Sequence, residues 1–169
     1  LGTATGGMPL SEDLLKKGDN DPHHYSFHST GSVAEYLSDK LNCKGPIITI
    51  STACSSGTAA VKIAVEMMRM GKVKKILVGG ADALCRLTYF GFNSLQLIDP
   101  DGARPFDKNR KGMSVAEGAA FLMLESFEEK PDDALAEVLG GGLSCDAHHA
   151  AAPHPAGKGA IAAMENALR

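Results

Sequence analysis

Residues 48–71, ITISTACSSGTAAVKIAVEMMRMG, decide the fold that this sequence predicts. Their first part belongs to a β-branched run at residues 47–52, which is typical of a buried strand. Their second part predicts a long apolar helix over residues 55–70, with Gly71 at the position of a left-handed C-cap. A strand therefore leads directly into a helix, and Cys54 stands at the junction.

The predicted helix has very little polar surface. Its only charged residues, Lys62, Glu66 and Arg69, are spaced so that they share one narrow face. A helix of this kind packs against its neighbours on most sides. The run KKILVGGADA at residues 74–83 then predicts a second buried strand. Strand, helix and strand in this order form a βαβ unit, so we expect parallel strands with a right-handed crossover.

The rest of the chain predicts further elements of an α/β fold. A capping-box pattern from Ser32 to Glu35 indicates the start of a helix over residues 32–41. Residues 1–9 indicate a short strand and a glycine turn, and residues 10–30 a polar surface excursion. The other predicted elements are a helical stretch at 87–98, a third buried strand at 118–126, a glycine-weakened strand at 134–146 and a final helix at 157–169.

Composition excludes several classes of function. The chain has 169 residues, the size of one domain, and a net charge of −3 with only 5% aromatic residues, which argues against a nucleic-acid partner. No apolar run approaches the roughly 20 residues of a membrane span, and no signal-peptide pattern opens the chain. The absence of any CxxC pair predicts free thiols in a cytoplasmic protein. The four cysteines are Cys43, Cys54, Cys85 and Cys145.

Cys54 is the candidate catalytic residue, because the predicted helix places it in the first turn. Unpaired N–H groups and the dipole at a helix N-terminus favour a negative charge, and the thiolate is the nucleophilic form of cysteine. The same N–H groups can hold a carbonyl oxygen that becomes an oxyanion. The neighbours Ser55, Ser56 and Gly57 are small enough to admit a substrate. The alternative is a buried packing residue, which is what we expect of the other three cysteines.

A family resemblance rests on several motifs that occur in one order. The segment GPIITISTACSSGTAAVKIA at residues 45–64 resembles the nucleophile segment of β-ketoacyl synthases, the condensing enzymes of fatty acid and polyketide synthesis. Later segments resemble the same family, and SCDAHHAAAPHPAGKGA is similar to the elongating, acyl-carrier-protein-dependent members. These later segments are VGGADAL (78–84), GFNSLQLI (91–98), RPFDKNRKGMSVAEGAAFLMLE (104–125) and GGGLSCDAHH (140–149).

The resemblance implies a partial thiolase-like fold, with a mostly parallel sheet packed on the buried helix after Cys54. Residues 1–169 would form a single partial ketosynthase domain, mainly its N-terminal half. Both ends suggest an internal piece, because the chain begins at Leu1 without a methionine and Arg169 lies within the predicted final helix. The resemblance further implies a homodimer that acts on acyl and malonyl thioesters of acyl carrier protein, with no cofactor and no metal.

The resemblance also implies roles for individual residues. Cys54 would take an acyl group from a carrier-protein thioester, and a malonyl thioester would lose CO2 and attack the acyl-Cys54 carbonyl. The Cys54 N–H would form half of an oxyanion hole. Glu117 matches a buried acidic position with a structural role, and Phe92 falls where the family lines its acyl-chain pocket.

The match to the family stops at its two catalytic histidines. Motifs resembling G-T-x-x-x-D and K-x-x-x-G-H, and the glycine-rich segment that donates the second oxyanion N–H, do not occur in this sequence. His148 and His149 match a D-A-x-H segment, which is not the catalytic pair. We therefore predict that this polypeptide alone is inactive in condensation. The alternatives are a thiolase-type acyltransferase acting on coenzyme A thioesters and a non-catalytic ketosynthase-like scaffold.

Three other groups of residues suggest sites. His24 and His28 are four positions apart, but DNDPHHYSFHSTG predicts a solvated loop rather than a metal-binding helix face. A second histidine cluster resembles a zinc site, although its prolines favour a loop that covers a site; its members are Asp146, His148, His149 and His154. The basic loop at residues 104–111 would bind a phosphopantetheine or an acidic carrier protein. Alternatively, it is a solvated loop that forms internal ion pairs with Asp101 and Asp107.

Overall fold

The computed structural model describes residues 1–129, 131–149 and 152–169. In these ranges the chain forms five α-helices, a short 3₁₀ helix and two strands. No helix among them combines the length and the apolar composition needed to cross a membrane. In chain order the elements are α1 (Met8–Lys16), the 3₁₀ helix (Pro22–Tyr25), α2 (Gly31–Lys40), α3 (Ser56–Arg69), β1 (Lys75–Asp82), α4 (Arg86–Ser94), β2 (Gly118–Glu125) and α5 (Lys158–Ala167).

The predicted apolar helix is confirmed as α3. Glu66 lies 3.6 Å from the Lys62 ammonium and 3.5 Å from the Arg69 guanidinium, so the three charges do share one face. Gly71, just beyond the helix, has φ +68°, as expected of a left-handed cap. The opposite face of α3 packs against β1. The core between them consists of Ala60, Ala64 and Val78, with the half-buried Ile50, Val61, Ile76 and Leu124 packed against it.

β1 and β2 form an antiparallel pair, from Lys75 opposite Glu125 to Asp82 opposite Gly118. The predicted strand at residues 118–126 is therefore confirmed, but its predicted burial is wrong. Every residue of β2 is exposed except the half-buried Leu124. An apolar run can indicate a strand, but burial depends on which elements cover its two faces, and α3 packs against β1.

Parallel pairing occurs at Gly2, which lies between two longer segments. Gly2 forms parallel bridges to Ile50 on one side and to Gly80 of β1 on the other. Its N–H donates to the Gly79 carbonyl over 2.8 Å, and the Thr3 N–H donates to the Ile50 carbonyl over 3.1 Å. The segment before Cys54 and β1 therefore run in the same direction, with the start of the chain between them.

The predicted buried strand at residues 47–52 is wrong as a regular element. Within the described residues, it forms no named strand, and its bonds to the start of the chain involve Ile48 and Ile50. Ile47 and Ile48 are 51% and 39% exposed. A β-branched run has a high strand propensity, but a regular strand needs a partner along its whole length, and the described bonds of this run to residues 1–3 reach only Ile48 and Ile50.

The N-terminal region contains a helix that the sequence prediction assigned to a surface excursion. α1 begins at Met8, and Pro9 occupies the first turn, where its missing N–H costs nothing. α2 is confirmed, but its predicted capping box is wrong. The N-cap is Thr30 instead of Ser32, and the Thr30 side chain makes no capping hydrogen bond. The Ser32 hydroxyl donates to the carbonyls of Phe27 and Ser29 over 2.8 and 2.6 Å.

Two predicted elements in the second half of the chain differ from the structure. The helix predicted at 87–98 is α4, which ends at Ser94, and the strand predicted at 134–146 is absent from the described residues there. A Cβ at Gly142 would collide with the backbone carbonyl of Ala163 in α5. The glycine run therefore packs closely against a helix backbone instead of pairing in a sheet. The final helix is confirmed as α5.

Candidate functional site

Cys54 lies in the turn that enters α3, and its side chain is exposed. Ser55 is the N-cap of α3. Cys54 therefore lies one residue before the N-cap, and not in the first turn as predicted. Ala53, directly before it, has φ +52°, a left-handed conformation that is rare for an alanine. The backbone therefore turns sharply at Ala53 and presents the sulfur to solvent.

Two serine hydroxyls cross-link this turn. The buried Ser56 hydroxyl accepts the Thr52 N–H over 2.9 Å and donates to the Ala53 carbonyl over 2.6 Å. The exposed Ser55 hydroxyl donates to the Thr52 carbonyl over 2.8 Å and contacts its hydroxyl at 3.0 Å. Of the two, only the Ser56 hydroxyl makes a bond on each side of the Ala53 Cα.

Backbone donors are available beside the Cys54 sulfur. The Ser56 N–H donates to the Ala53 carbonyl, and the first helical bond runs from the Ala59 N–H to the Ser55 carbonyl. Within the described chain, the amides of Cys54, Gly57 and Thr58 have no hydrogen-bond acceptor. Free amides and the positive end of a helix dipole together favour an anion or a polarised carbonyl oxygen at this position.

Cys54 lines a cavity of about 770 Å³ that is mostly apolar. One wall is nearly bare backbone, from Gly2, Gly57 and Gly80. Another part of the lining comes from α4 and includes the half-buried Phe92, whose predicted place in an acyl-chain pocket stays a prediction. Such a cavity is large enough to hold an apolar chain next to the sulfur.

A carboxylate anchors the backbone wall of the cavity. The hydroxyls of Thr3 and Thr5 donate to Asp82 over 2.7 and 2.8 Å, and the amides of Ala4 and Thr5 donate to it over 2.9 and 2.8 Å. Burial alone would raise the pKa of Asp82, but these hydrogen bonds together hold that pKa below its ordinary value. Asp82 thereby fixes the start of the chain to the end of β1.

The helical wall is held at its N-terminus by a residue distant in sequence. The Glu12 carboxylate in α1 accepts the N–H groups of Arg86 and Leu87 over 2.7 and 2.8 Å. The Cys85 sulfur, which is the N-cap, accepts the Thr88 N–H over 3.4 Å. The first N–H groups of any helix have no acceptor within the helix. Side chains therefore satisfy three such groups at the start of α4.

Glu117 and the remaining cysteines depart in part from their predictions. Glu117 is exposed rather than buried, although its carboxylate accepts the Leu84 N–H over 3.1 Å just before α4, which agrees with a structural role. Cys85 is buried, as expected of a packing residue. Cys43 and Cys145 are exposed, so their predicted burial is wrong.

The basic loop at residues 104–111 is only partly tied to neighbouring acids. The predicted pair between Lys111 and Asp101 is present at 3.4 Å, but Arg104 faces the buried Asp99 at 3.6 Å. The Asp101 N–H and the Arg104 guanidinium lower the pKa of Asp99. Asp107 receives a bond from Arg110 at its backbone carbonyl, over 2.9 Å, and not at its carboxylate as predicted.

The histidines of the two suggested metal sites do not converge on a metal-binding group. His24 bonds to the Asp19 carboxylate over 2.7 Å, whereas His28 lies 3.0 Å from the Ser11 hydroxyl. In the second cluster, the rings of His148 and His154 lie 4.9 Å apart. No set of three metal-binding side chains is assembled anywhere in residues 1–129, 131–149 or 152–169.

Sequence reasoning missed the residues that hold the site together. Asp82 ends the predicted strand in the sequence GGAD, and a lone acid at the end of an apolar run was a usable signal. Glu12 gave no signal, because its partners are 74 and 75 residues away. Ser56 was noted only for its small size, and its hydroxyl bonds depend on the left-handed turn at Ala53.

Comparison with known proteins gives a consistent result. Residues 2–130 match the family described as beta-ketoacyl synthase, N-terminal domain. The chain is 33% identical to 3-oxoacyl-[acyl-carrier-protein] synthase 2 of Synechocystis sp., over 100% of this chain and 44% of that protein. A Xenorhabdus doucetiae ketosynthase, solved in complex with its chain length factor, is 36% identical with a TM-score of 0.84, over 99% of this chain and 43% of that one.

A third protein is similar at the level of the whole described fold. It is a type II polyketide synthase ketosynthase solved in complex with its acyl carrier protein, and it is 27% identical with a TM-score of 0.81. The match covers 99% of this chain and 48% of that one. This chain therefore spans less than half the length of each of these three proteins.

Proposed function

Because this chain belongs to the β-ketoacyl synthase family, we propose that it carries the acyl-accepting part of an enzyme that forms carbon–carbon bonds by decarboxylative Claisen condensation, with Cys54 as the nucleophile. The observation that carries the proposal is the exposed Cys54 sulfur at a cavity of about 770 Å³, beside free backbone amides at the start of α3. A structural cysteine has no need of such an environment.

The first half of the reaction uses residues of this chain. The Cys54 thiolate attacks the carbonyl of an acyl thioester, and the bond from that carbonyl to the donor sulfur breaks. The donor leaves as a thiol, and the acyl group remains on Cys54. The free Cys54 N–H supplies one donor to the oxyanion, and the apolar side chains of α4, among them Phe92, bind the acyl chain.

The second half of the reaction needs groups beyond this chain. A malonyl thioester loses CO2, its enolate carbon attacks the acyl-Cys54 carbonyl, and the thiolate is released as the new carbon–carbon bond forms. The developing enolate requires hydrogen-bond donors, which the family supplies from histidine motifs that this sequence does not contain. We expect no condensation by this polypeptide alone. Release of labelled CO2 from malonyl carrier protein, above that of the Cys54→Ala variant, would contradict this.

The remaining features of the proposal follow the family. Acyl carrier protein delivers the acyl and malonyl thioesters, and the basic loop at residues 104–111 is the surface that we assign to it. The reaction needs no cofactor and no metal, and the protein works as a cytoplasmic homodimer. Residues 1–169 belong to one partial ketosynthase domain with a mostly parallel sheet, which the parallel bridges at Gly2 support.

Acylation of the sulfur tests the proposal directly. The chain is incubated with acyl carrier protein carrying an acyl group, or with acyl-CoA, and digested for mass spectrometry. We expect acyl on the peptide that contains Cys54, none in Cys54→Ala, and no change in Cys145→Ala, which removes an equally exposed thiol. Acylation from coenzyme A alone would instead indicate a thiolase-type acyltransferase. No acylation from either donor would indicate a scaffold and overturn the proposal.

A further inference from the structure

We propose that the Ser56 hydroxyl is a positioning group, which holds the turn at Ala53 in its left-handed form and thereby sets the reactivity of Cys54. The inference rests on the proposed function of Cys54 as the acyl acceptor and adds a second residue to that site. Ser56 does not need to touch the substrate for this role. It acts through the backbone on either side of Ala53.

The first observation is the pair of hydrogen bonds that the hydroxyl makes. Ser56 is 3% exposed, and its oxygen accepts the Thr52 N–H at 2.9 Å while donating to the Ala53 carbonyl at 2.6 Å. One side chain therefore binds the backbone both before and after the Ala53 Cα. Such a bridge fixes φ and ψ at Ala53 more tightly than a single bond can.

The second observation is the conformation that this bridge encloses. Ala53 has φ +52°, a region that L-residues with a Cβ avoid unless the surroundings compensate. Without the bridge, rotation of the adjoining peptides would return Ala53 to negative φ. That rotation would move the Cys54 N–H and the Cys54 sulfur, because Cys54 is the next residue along the chain.

The third observation is that Ser56 itself is fixed to the sheet. A Cβ at Gly2 would collide with the Ser56 carbonyl group, so the backbones of Gly2 and Ser56 are in close contact. Gly2 in turn is hydrogen-bonded to Gly79 in β1 over 2.8 Å. Through Ser56, the Cys54 turn is therefore attached to the sheet. Such rigid support is what accurate placement of a reacting atom requires.

Ser55 provides a matched comparison within the same turn. Its hydroxyl also makes two contacts, but both go to Thr52 and none reaches Ala53. Its side chain is exposed, whereas that of Ser56 is buried. If any serine hydroxyl near Cys54 were sufficient, the two residues would be equivalent. The geometry assigns the positioning role to Ser56 alone of this pair.

Alkylation by iodoacetamide tests the proposal without carrier protein or condensation. The Cys54 sulfur displaces iodide and forms a carbon–sulfur bond, and the thiol proton passes to solvent. Rates are measured by peptide mass spectrometry at one fixed pH for the unmodified chain, Ser56→Ala, Ser56→Thr and Ser55→Ala. The exposed Cys43 and Cys145 serve as reference thiols, and the buried Cys85 reports unfolding when it becomes reactive.

We expect Ser56→Ala to slow Cys54 alkylation at least about tenfold, because the sulfur then no longer lies beside the free amides at the start of α3, which favour an anionic nucleophile. Ser56→Thr, which keeps the hydroxyl, should retain most of the rate, and Ser55→Ala should react like the unmodified chain. Equal rates in Ser56→Ala and Ser55→Ala would overturn the proposal.

A double variant tests the link through Ala53. Glycine adopts positive φ without steric cost, so Ala53→Gly should restore Cys54 alkylation in the Ser56→Ala background. If Ser56→Ala alone unfolds, this folded double variant carries the test. A slow Cys54 in the folded double variant would show that the hydroxyl does not act through Ala53. An unmodified chain whose Cys54 reacts no faster than Cys43 and Cys145 would count against the proposed function itself.

Discussion

At the residue scale, the backbone of Ala53 carries strain that a single substitution can remove. Its φ of +52° costs an L-residue roughly 1–2 kcal/mol, and its exposed methyl group contributes no burial in return. We expect Ala53→Gly to raise the free energy of unfolding by about 0.5–1 kcal/mol, as measured by urea denaturation. The β-branched Ala53→Val should lower it, because its side chain fits the left-handed region still less well.

The control for this prediction is Ala103→Gly. Ala103 is also exposed and lies in a loop, but it is not among the described residues with positive φ. Glycine there only increases the entropy of the unfolded chain, so the variant should lose about 0.4–1 kcal/mol of stability. Loss of stability in both glycine variants would mean that Ala53 is not strained.

At the scale of elements, α1 and α4 are connected through one carboxylate. Glu12 in α1 satisfies two N–H groups at the start of α4, over 2.7 and 2.8 Å, where the helix dipole also favours its charge. We expect Glu12→Ala to lower the free energy of unfolding by about 1–2 kcal/mol, the range of a lost helix cap. The free energy of unfolding of Glu12→Gln should lie between those of the unmodified chain and Glu12→Ala, because the glutamine amide retains one acceptor oxygen.

The neighbouring Asp13 offers the matched control. It lies on the same helix, and it is exposed. Asp13→Ala should therefore change the free energy of unfolding by less than about 0.5 kcal/mol. Because α4 forms one wall of the Cys54 cavity, Glu12→Ala should also weaken binding of an apolar dye there. Equal losses in the two alanine variants would show that Glu12 does not cap α4.

For the whole molecule, three carboxyl groups in separate regions predict how stability depends on pH. The pKa values of Asp82, Asp99 and Asp146 all lie below the ordinary 3.8. At Asp146 the largest cause is the hydrogen bond from the His154 N–H, which is 2.8 Å long. Since each group binds a proton more readily when unfolded, its contribution is complete above the unfolded value of 3.8, and it is lost as pH falls from there through the lower pKa of the folded state.

Urea denaturation at a series of pH values measures this effect. We expect a progressive loss of stability as pH falls below about 5, which continues through the lower pKa values of the folded carboxyl groups. Asp82→Asn should be less stable at neutral pH and should lose less on acidification, because one of the contributing groups is gone. An acid-induced loss as steep in Asp82→Asn as in the unmodified chain would exclude a contribution from Asp82.

The features that could be predicted from the sequence are the local ones. The period of apolar residues fixes α3, and the resemblance and the strand-to-helix junction both select Cys54, which the structure places at an apolar cavity. Burial was predicted less well, because the exposure of Ile47, Ile48 and β2 depends on elements that no local pattern specifies. The antiparallel direction of β2 likewise depends on a pairing across residues 83–117, which lie between the two strands.

The site was predicted only at its centre. Cys54 is indicated by its immediate neighbours, whereas Asp82 and Glu12 act on partners between 74 and 79 positions away. No sequence window contains such a contact. α1 was missed for a different reason, since the glycines before it indicate a turn and residues 10–30 are polar, although Pro9 is of a type that is common in a first helical turn.

The glycine contact between the start of the chain and α3 also limits how the pocket can be redesigned. On that side the backbones of Gly2, Gly57 and Gly80 are in close contact, so no residue larger than glycine fits at Gly2. A Cβ at Gly57 would meet no atom within 4 Å, and Leu87 and Phe92 can be trimmed or exchanged, so these positions can change the shape of the pocket. Gly2 is thus fixed by main chain, whereas other parts of the lining are open to variation.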